Sequence, residues 1–233
     1  MKSIQGNSPL LVLIPAYNEE QNIVSVVEDL QRHCPQYDYI IVNDGSTDRT
    51  LDICRERHYR VLDLTVNLGL AGAFQAGIRY AVKNGYEYVL QFDGDGQHLA
   101  EYVSDMLFTA RTKQCDIIIG SRYVQGKKGW SMREIGSRMI SGCIWLTTGK
   151  RIKDPTSGMR MYGAAVMKKL AYQMNYDPEP DTLAALLKNG ASCSEVPVKM
   201  NERLYGTSYL TFANSVKYMF YVCISILILH WLR

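Results

Sequence analysis

The sequence predicts an α/β protein whose mostly parallel sheet is covered by helices on both faces. Short apolar runs alternate with segments of helical periodicity along the first half of the chain, and three of the runs end directly in polar clusters. Parallel strands need a crossover helix between them, which explains this alternation. With 233 residues, 47% of them hydrophobic, the chain can bury one substantial core, which excludes a disordered or collagen-like protein.

The first strand is predicted at 10–14, where the sequence reads LLVLI. The helix that follows repeats apolar residues at i, i+3, i+4 and i+7 from Ile23, and Asn18 is predicted to cap its start. The same alternation continues to residue 119. It predicts strands at 39–42, 61–64, 87–92 and 116–119, and helices at 47–57, 69–83 and 99–112.

Beyond Gly120 the predicted elements are less regular. They are a basic loop at 126–129, helices at 133–148 and 183–188, and strands at 158–162 and 192–198. The last apolar run, residues 218–232, predicts a helix about 22 Å long, shorter than the roughly 30 Å hydrocarbon core of a membrane. We therefore assign residues 1–207 to one folded domain and 208–233 to an amphipathic or hydrophobic C-terminal helix that associates with a membrane.

Charge is distributed unevenly along the chain. The formal net charge is +3, but residues 111–169 hold thirteen Lys and Arg against three acids. This local excess indicates a cationic surface that meets an anion, with phosphate as the commonest candidate, and it does not require nucleic acid. Six cysteines without a C-x-x-C pair indicate reduced thiols in a reducing compartment.

Three polar clusters follow predicted strands, at 15–20, 43–48 and 93–97. Ligands of doubly wound sheets bind at the carboxyl ends of the strands, so three clusters in register indicate a binding site. Any one cluster alone is explained equally well by turn formation. Asp44 can accept hydrogen bonds from a base or ribose, or cap the helix that follows it.

The Asp93 and Asp95 pair supplies hard oxygen ligands at one strand end, which suits Mg²⁺ or Mn²⁺ bridging a diphosphate. A calcium EF-hand is excluded because His98 and Ser104 stand where Gly and Glu are needed. The chain has no P-loop, and its Gly69-x-x-Gly72 lacks the full dinucleotide-binding pattern. His98 is predicted to be a packing or rim residue rather than a ligand.

Nine motifs together resemble a known family. IPAYNEE, NDGSTD, NLGLAGAFQAG, DGDGQH and IGSRY resemble the family 2 inverting glycosyltransferases, which have the GT-A fold. DPTSGMR, YDPEPD, EVPVKMNER and YGTS narrow the resemblance to polyprenyl-phosphate glycosyltransferases, similar to dolichol-phosphate mannose synthase and the bacterial undecaprenyl-phosphate sugar transferases. The resemblance covers residues 10–208.

The resemblance implies roles for matching residues, which fall into four groups. The residues implied to bind the nucleotide sugar are Pro15, Tyr17, Asn18, Glu19, Asp44 and Asp93, and those implied to hold the metal are Asp93, Asp95 and Gln97. The residues implied to act at the reaction centre are Asp154, Asp95 and Arg122. The residues implied to bind the acceptor phosphate are Arg133, Arg203 and Ser208. Many relatives have Glu where this chain has Asp181, so the resemblance leaves open whether Glu179 or Asp181 faces the site.

The implied reaction is inverting transfer of a hexose (glucose, N-acetylglucosamine or mannose) from a nucleotide sugar to polyprenyl phosphate such as undecaprenyl phosphate, assisted by Mg²⁺ or Mn²⁺. A UDP-sugar is favoured over GDP-mannose, and the product would supply cell-envelope polysaccharide synthesis or glycan modification. Two alternatives stay open: transfer to a sugar hydroxyl with Glu179 or Asp181 as base, and a catalytically silent subunit that binds nucleotide sugars.

The expected location is the cytoplasmic face of the cell membrane. The protein is peripheral or is anchored by its C-terminal helix, which either lies in the interface or spans the membrane with help from a homo-oligomer or a small membrane-protein partner. The competing explanation is that this helix packs on the protein's own core. Nucleic acid is not an expected partner.

Overall fold

A computed structural model describes residues 8–126, 129, 131–172, 178–201 and 212–232. Within these ranges, seven strands form one mixed sheet with helices on both faces. The strands are β1 (Leu10–Ala16), β2 (Asp38–Asp44), β3 (Val61–Leu64), β4 (Tyr88–Gln91), β5 (Ile117–Ser121), β6 (Arg160–Gly163) and β7 (Cys193–Pro197). The helices are α1 (Ile23–His33), α2 (Thr50–Glu56), α3 (Gly69–Lys83), α4 (Val103–Lys113), α5 (Met132–Thr148), α6 (Ala164–Tyr172), α7 (Pro180–Lys188) and α8 (Phe212–Leu232), and a short 3₁₀ helix (Ala100–Tyr102) precedes α4.

The strand order is β3-β2-β1-β4-β6-β5-β7. Parallel pairing joins β1 to β2 and β4, β2 to β3, and β5 to β7, whereas β6 runs antiparallel to both of its neighbours, β4 and β5. The predicted mostly parallel sheet is therefore confirmed. The carboxyl ends of β1, β2 and β4 meet at one edge.

Side chains of β1 alternate between two buried layers. Leu11 and Leu13 pack with α3, α5, α6, α7 and α8 on one face, and Val12 and Ile14 pack with α1 and α4 on the other. A strand buried on both faces reads as a continuous apolar run, as LLVLI does.

Two local predictions differ from the structure. Helix α6 was not predicted, and Asn18 does not cap α1, which begins at Ile23. Asn18 has a φ of 56°, and its Oδ1 instead accepts a hydrogen bond from the Thr47 N–H at 2.8 Å. The connection after β1 is thus held by the loop before α2 rather than by its own helix.

Helix α8 lies against the sheet domain through α5 and α7. Val222, Cys223 and Ile226 are buried in the core layer that contains those helices. The opposite side of α8 exposes apolar residues, among them Tyr221 and Ile228. In the parts of the chain described, no helix combines the length and apolarity needed to cross a bilayer.

Helix α3 approaches β1 closely at Gly77, which generates a stability prediction. A Cβ at this position would lie 2.0 Å from Leu13 Cδ1, and Leu13 is fully buried. Gly77→Ala should therefore lower the free energy of unfolding by about 1–3 kcal/mol, measured by urea denaturation. The control is Gly142→Ala on α5, whose added Cβ meets nothing within 4 Å. It should be neutral or stabilising by up to about 1 kcal/mol; equal losses in both variants would contradict the close packing.

Candidate active site

A cavity of about 880 Å³ opens at the carboxyl ends of β1, β2 and β4. One end is formed by the connection after β1, by Asp44 and by the start of α3, and its middle by Asp93, Gly94 and Asp95. The other end is formed by residues 156–158, Arg160, residues 178–180 and Tyr218. All three polar clusters found in the sequence contribute to this cavity.

The end of the cavity beside β1 is formed by a loop that side-chain hydrogen bonds hold rigid. Besides the bond from Thr47, Asn18 Oδ1 accepts one from the Asp48 N–H at 3.3 Å, and Asp48 Oδ2 accepts one from the Glu20 N–H at 3.1 Å. Four candidate nucleotide residues lie here: Pro15, Tyr17, Asn18 and Glu19. These reciprocal bonds hold the loop in place, and Tyr17 is 39% exposed.

Asp44 ends β2 and is 3% exposed. Its Oδ1 accepts a hydrogen bond from the Leu68 N–H at 2.7 Å, which links β2 to the start of α3. The N-cap position of α2 is Arg49, and the first N–H of the helix, at Thr50, donates to Asp48 Oδ1 at 2.9 Å. Asp44 therefore lines the cavity and does not cap the next helix.

Asp93 and Asp95 lie just beyond the end of β4. His98 is 4% exposed and packs edge-on against Phe92, with the ring centroids 5.4 Å apart. Its Nδ1 accepts the Asp93 N–H at 2.9 Å, and its Nε2 lies 3.5 Å from Asp93 Oδ2. Asp95 Oδ1 accepts the Gln97 N–H at 3.1 Å. Both carboxylates are fixed by their own loop.

The donors at Asp93 and Asp95, two carboxylates that line one cavity, suit a divalent cation that also binds substrate oxygens. Among the described residues, no group of three or more His, Cys, Asp and Glu side chains could hold a metal. The described cavity wall also does not include Gln97, which the resemblance assigns to the metal. Mg²⁺ is commonly held by one or two carboxylates plus phosphate oxygens and water, so two carboxylates are sufficient.

Arg122 and Asp154 form an ion pair beside the cavity; neither belongs to its described wall. Asp154 is fully buried, and its two oxygens accept from Arg122 Nε and Nη2, each at 2.8 Å. The Arg122 N–H and Thr156 Oγ1 donate to the same carboxylate. Burial lowers the pKa of Arg122, but the bonds and charge of Asp154 outweigh burial and raise the pKa above its usual value. Arg122 therefore stays positively charged.

Glu179, and not Asp181, belongs to the cavity wall. Glu179 Oε2 accepts a hydrogen bond from the Tyr218 hydroxyl of α8. Asp181 Oδ2 accepts one from Ser225 Oγ, also on α8, at 2.8 Å. The structure therefore separates the two acids that the sequence left equivalent.

The cavity residues that were missed from the sequence include Gln91, Arg160 and Tyr218. Gln91 and Arg160 are each 2% exposed and stand opposite each other on β4 and β6. Gln91 Nε2 donates to Asp93 Oδ1 at 3.3 Å, and its Oε1 accepts no bond from the described residues. A polar residue inside the apolar run VLQF was the available signal for Gln91.

The candidate acceptor residues cannot be placed in the same way. Arg203 and Ser208 lie outside the described residues, and so does the side chain of Arg133. Of the cationic stretch at 111–169, Arg160 is the member that lines the described cavity.

Residues 11–173 match the family described as Glycosyl transferase family 2. Relatives extend the match over nearly the whole chain. A polyprenol monophosphomannose synthase of Mycolicibacterium smegmatis is 32% identical over 94% of this chain and 88% of its own. An undecaprenyl-phosphate mannosyltransferase of Micrococcus luteus is 30% identical over 87% of each chain. A UDP-N-acetylglucosamine–dolichyl-phosphate N-acetylglucosaminyltransferase of Methanococcus voltae is 29% identical over 82% of this chain and 84% of its own.

Solved structures share the fold at lower identity. Glucosyl-3-phosphoglycerate synthase from Mycobacterium tuberculosis, solved with Mn²⁺, UDP and phosphoglyceric acid, is 17% identical with a TM-score of 0.69, over 96% of this chain and 78% of that one. Mannosyltransferase PcManGT from Pyrobaculum calidifontis, solved with GDP-Man and Mn²⁺, is 15% identical with a TM-score of 0.63. The match covers 87% of this chain and 60% of the PcManGT chain.

The Arg122 and Asp154 pair gives a prediction about stability and turnover. Asp154→Asn removes the charge that compensates Arg122, so we expect a loss of roughly 3 kcal/mol in the free energy of unfolding and a fall in turnover. Urea denaturation and initial rates measure the two effects. Glu56→Gln is the control: it breaks the exposed Arg49 pair and should cost less than about 1 kcal/mol. A stable Asp154→Asn variant with full turnover would contradict a role for the Arg122–Asp154 ion pair in stability and catalysis.

Proposed function

The chain belongs to glycosyl transferase family 2 and is a glycosyltransferase, and on this basis we propose that it transfers a hexose from a nucleotide sugar to the phosphate of a polyprenyl phosphate. The observation that carries the proposal is the likeness, over most of the chain, to three proteins named for polyprenyl or dolichyl phosphate acceptors. Their names include both mannose and N-acetylglucosamine, so the sugar proposed here is glucose, N-acetylglucosamine or mannose, with a UDP-sugar favoured.

The donor would lie along the cavity from β1 to β4. Asp44 and the rigid loop of Pro15, Tyr17, Asn18 and Glu19 would hold the nucleoside, and Asp93 and Asp95 would hold Mg²⁺ or Mn²⁺ against the diphosphate. When bound, that ion would neutralise the charge that develops on the leaving nucleoside diphosphate. The fixed positions of these side chains avoid reorganisation during the reaction.

The acceptor phosphate oxygen is already ionised near neutral pH, so the proposed reaction needs no strong general base. Attack at the anomeric carbon in line with the leaving diphosphate inverts its configuration. Asp154 supports this view because both of its oxygens are occupied by Arg122. It would position Arg122 for a phosphate group and would not remove a proton.

Transfer to a sugar hydroxyl is the second candidate, because Glu179 lies in the cavity where a base could act. One oxygen of Glu179 is engaged by the Tyr218 hydroxyl, which stabilises the carboxylate as an anion. Because a carboxylate has two oxygens, this bond at Oε2 is compatible with a base role through Oε1.

The proposed activity predicts release of nucleoside diphosphate, and formation of a lipid-linked sugar, when the protein is mixed with undecaprenyl phosphate, Mg²⁺ or Mn²⁺ and one of UDP-glucose, UDP-N-acetylglucosamine or GDP-mannose. We expect Asp95→Asn to lose at least about 100-fold in rate because it weakens the metal site. Asp105→Asn, an exposed change on α4, is the matched control and should retain the rate.

Transfer to an oligosaccharide but not to the lipid would favour the second candidate. Binding of nucleotide sugars with transfer to neither acceptor would favour the silent subunit.

We also propose that the protein acts at the cytoplasmic face of a membrane, with α5 and α8 against the lipid. Supporting this, the two helices contact each other and both expose large apolar side chains. These are Met132, Met139, Trp145 and Leu146 on α5 and Phe220, Tyr221, Ile224, Leu227 and Ile228 on α8. Arg151 lies over the Trp145 ring, 5.4 Å from its centroid, so a cation accompanies the apolar groups. Anionic lipid headgroups attract such cations.

Vesicle flotation tests this location. Full-length protein should float with vesicles containing anionic lipid, and Leu146→Glu or Ile228→Glu should reduce the floating fraction severalfold because each places a charge among the apolar side chains. Phe108→Glu on α4 is the control, since Phe108 is 71% exposed on a different helix. Equal flotation of all variants would count against α5 and α8 as the lipid contact.

A further inference from the structure

Glu179 is supported from two sides, through its backbone and through its side chain. Arg160 Nη1 lies 3.3 Å from the carbonyl oxygens of Pro178 and Glu179. Arg160 is itself fixed, because Nε donates to the Ser157 carbonyl at 2.8 Å and Nη2 to the Pro155 carbonyl at 2.6 Å. The guanidinium therefore joins the loop before β6 to the start of α7.

The side-chain support comes from the last helix. Tyr218 lines the cavity and donates its hydroxyl proton to Glu179 Oε2, 39 residues away in sequence. Burial, followed by the negative charge of Glu179, raises the pKa of Tyr218 above its usual value. The hydroxyl therefore stays protonated and remains a donor. A hydrogen bond to a charged group is roughly twice as strong as one between neutral groups.

A second hydrogen bond joins the same two helices without reaching the cavity. Ser225 lies two turns after Tyr218 on α8, and it donates to Asp181 Oδ2. Asp181 is absent from the described cavity wall. Helix α8 thus holds α7 at two acids, of which Glu179 alone is exposed to a ligand in the cavity.

We propose that Tyr218 is a positioning residue that holds the Glu179 carboxylate against the transferred sugar, so that the active site is complete only with α8 in place. The cavity runs from the nucleoside end at β1 and β2, past the two aspartates on β4, to Glu179. The group beyond the diphosphate in this direction is the sugar, and carboxylates bind its hydroxyls well. This role rests on the proposed function.

The test compares Tyr218→Phe with Ser225→Ala in the full-length protein. Each variant removes one α8 to α7 hydrogen bond, but only Tyr218→Phe removes the bond to the cavity carboxylate. We expect Tyr218→Phe to lower kcat/KM for the nucleotide sugar about tenfold and to leave the affinity for UDP or GDP alone within twofold. Ser225→Ala should stay within twofold in both measurements.

A double variant separates positioning from helix docking. In a Glu179→Gln background, Tyr218→Phe should have little further effect on kcat/KM, because the carboxylate it positions is already gone. Additive losses, equal losses in Tyr218→Phe and Ser225→Ala, or an equal loss of UDP or GDP affinity would each overturn the role.

The positioning role of Tyr218 can also be tested without an acceptor, by binding measurements alone. If the wild-type protein transferred no sugar to undecaprenyl phosphate, the proposed function would fail, while the affinities for UDP-glucose, UDP-N-acetylglucosamine and GDP-mannose relative to UDP and GDP would still be measurable. A tenfold weaker affinity of Tyr218→Phe for the nucleotide sugar alone would then support the positioning role, and an unchanged ratio would overturn it.

Discussion

The parallel pairing of β1 with β2 and β4 is the constraint on which the site depends. Ala16 stands opposite Asn43, so β1 and β2 end nearly level, and β4 ends at Gln91, opposite Leu13. Because they run in the same direction, their following loops leave from one edge and meet there. A register slip of one residue would turn each buried side chain of β1 to the opposite layer. The two apolar layers therefore also fix the position of the polar loops.

The acids near the cavity are stabilised in two different ways. Asp44 and Asp95 accept hydrogen bonds from backbone N–H groups, and Asp93 accepts one from the Gln91 side-chain amide; these bonds orient the carboxylates. Asp154 instead meets a guanidinium with both oxygens. Two carboxylates that line one cavity attract a cation, whereas a carboxylate held by a guanidinium keeps its arginine in place. This division places the expected metal at β4 and the expected phosphate contact near Arg122.

Sequence pattern predicted β1, β2 and β4 well because each contains a buried apolar run with a polar cluster after it. The bounds of β3 and α3 agree with the structure, and Asp44, Asp93 and Asp95 all reach the cavity. Local pattern was insufficient where a distant segment competes for a polar group. Asn18 is a residue type that often caps helices, but its side-chain Oδ1 accepts a hydrogen bond from the N–H of Thr47, 29 residues away. Tyr218 has no local signal at all, since its partner is Glu179, 39 residues earlier and just before α7.

Reversal of one strand explains why the far half of the cavity was harder to predict. Strand β6 runs antiparallel between β4 and β5, so its amino end, not its carboxyl end, lies at the cavity edge. Residues before β6 consequently line the site, and a Cβ on Gly158 would lie only 2.7 Å from Asp93 Oδ2. A search for polar residues after strands cannot find this half. Arg160, the first residue of β6, then extends the site to α7, and Glu179 extends it to α8. The end of the cavity at β1 and β2 is thus built by consecutive strands, and the far end by contacts between segments remote in sequence.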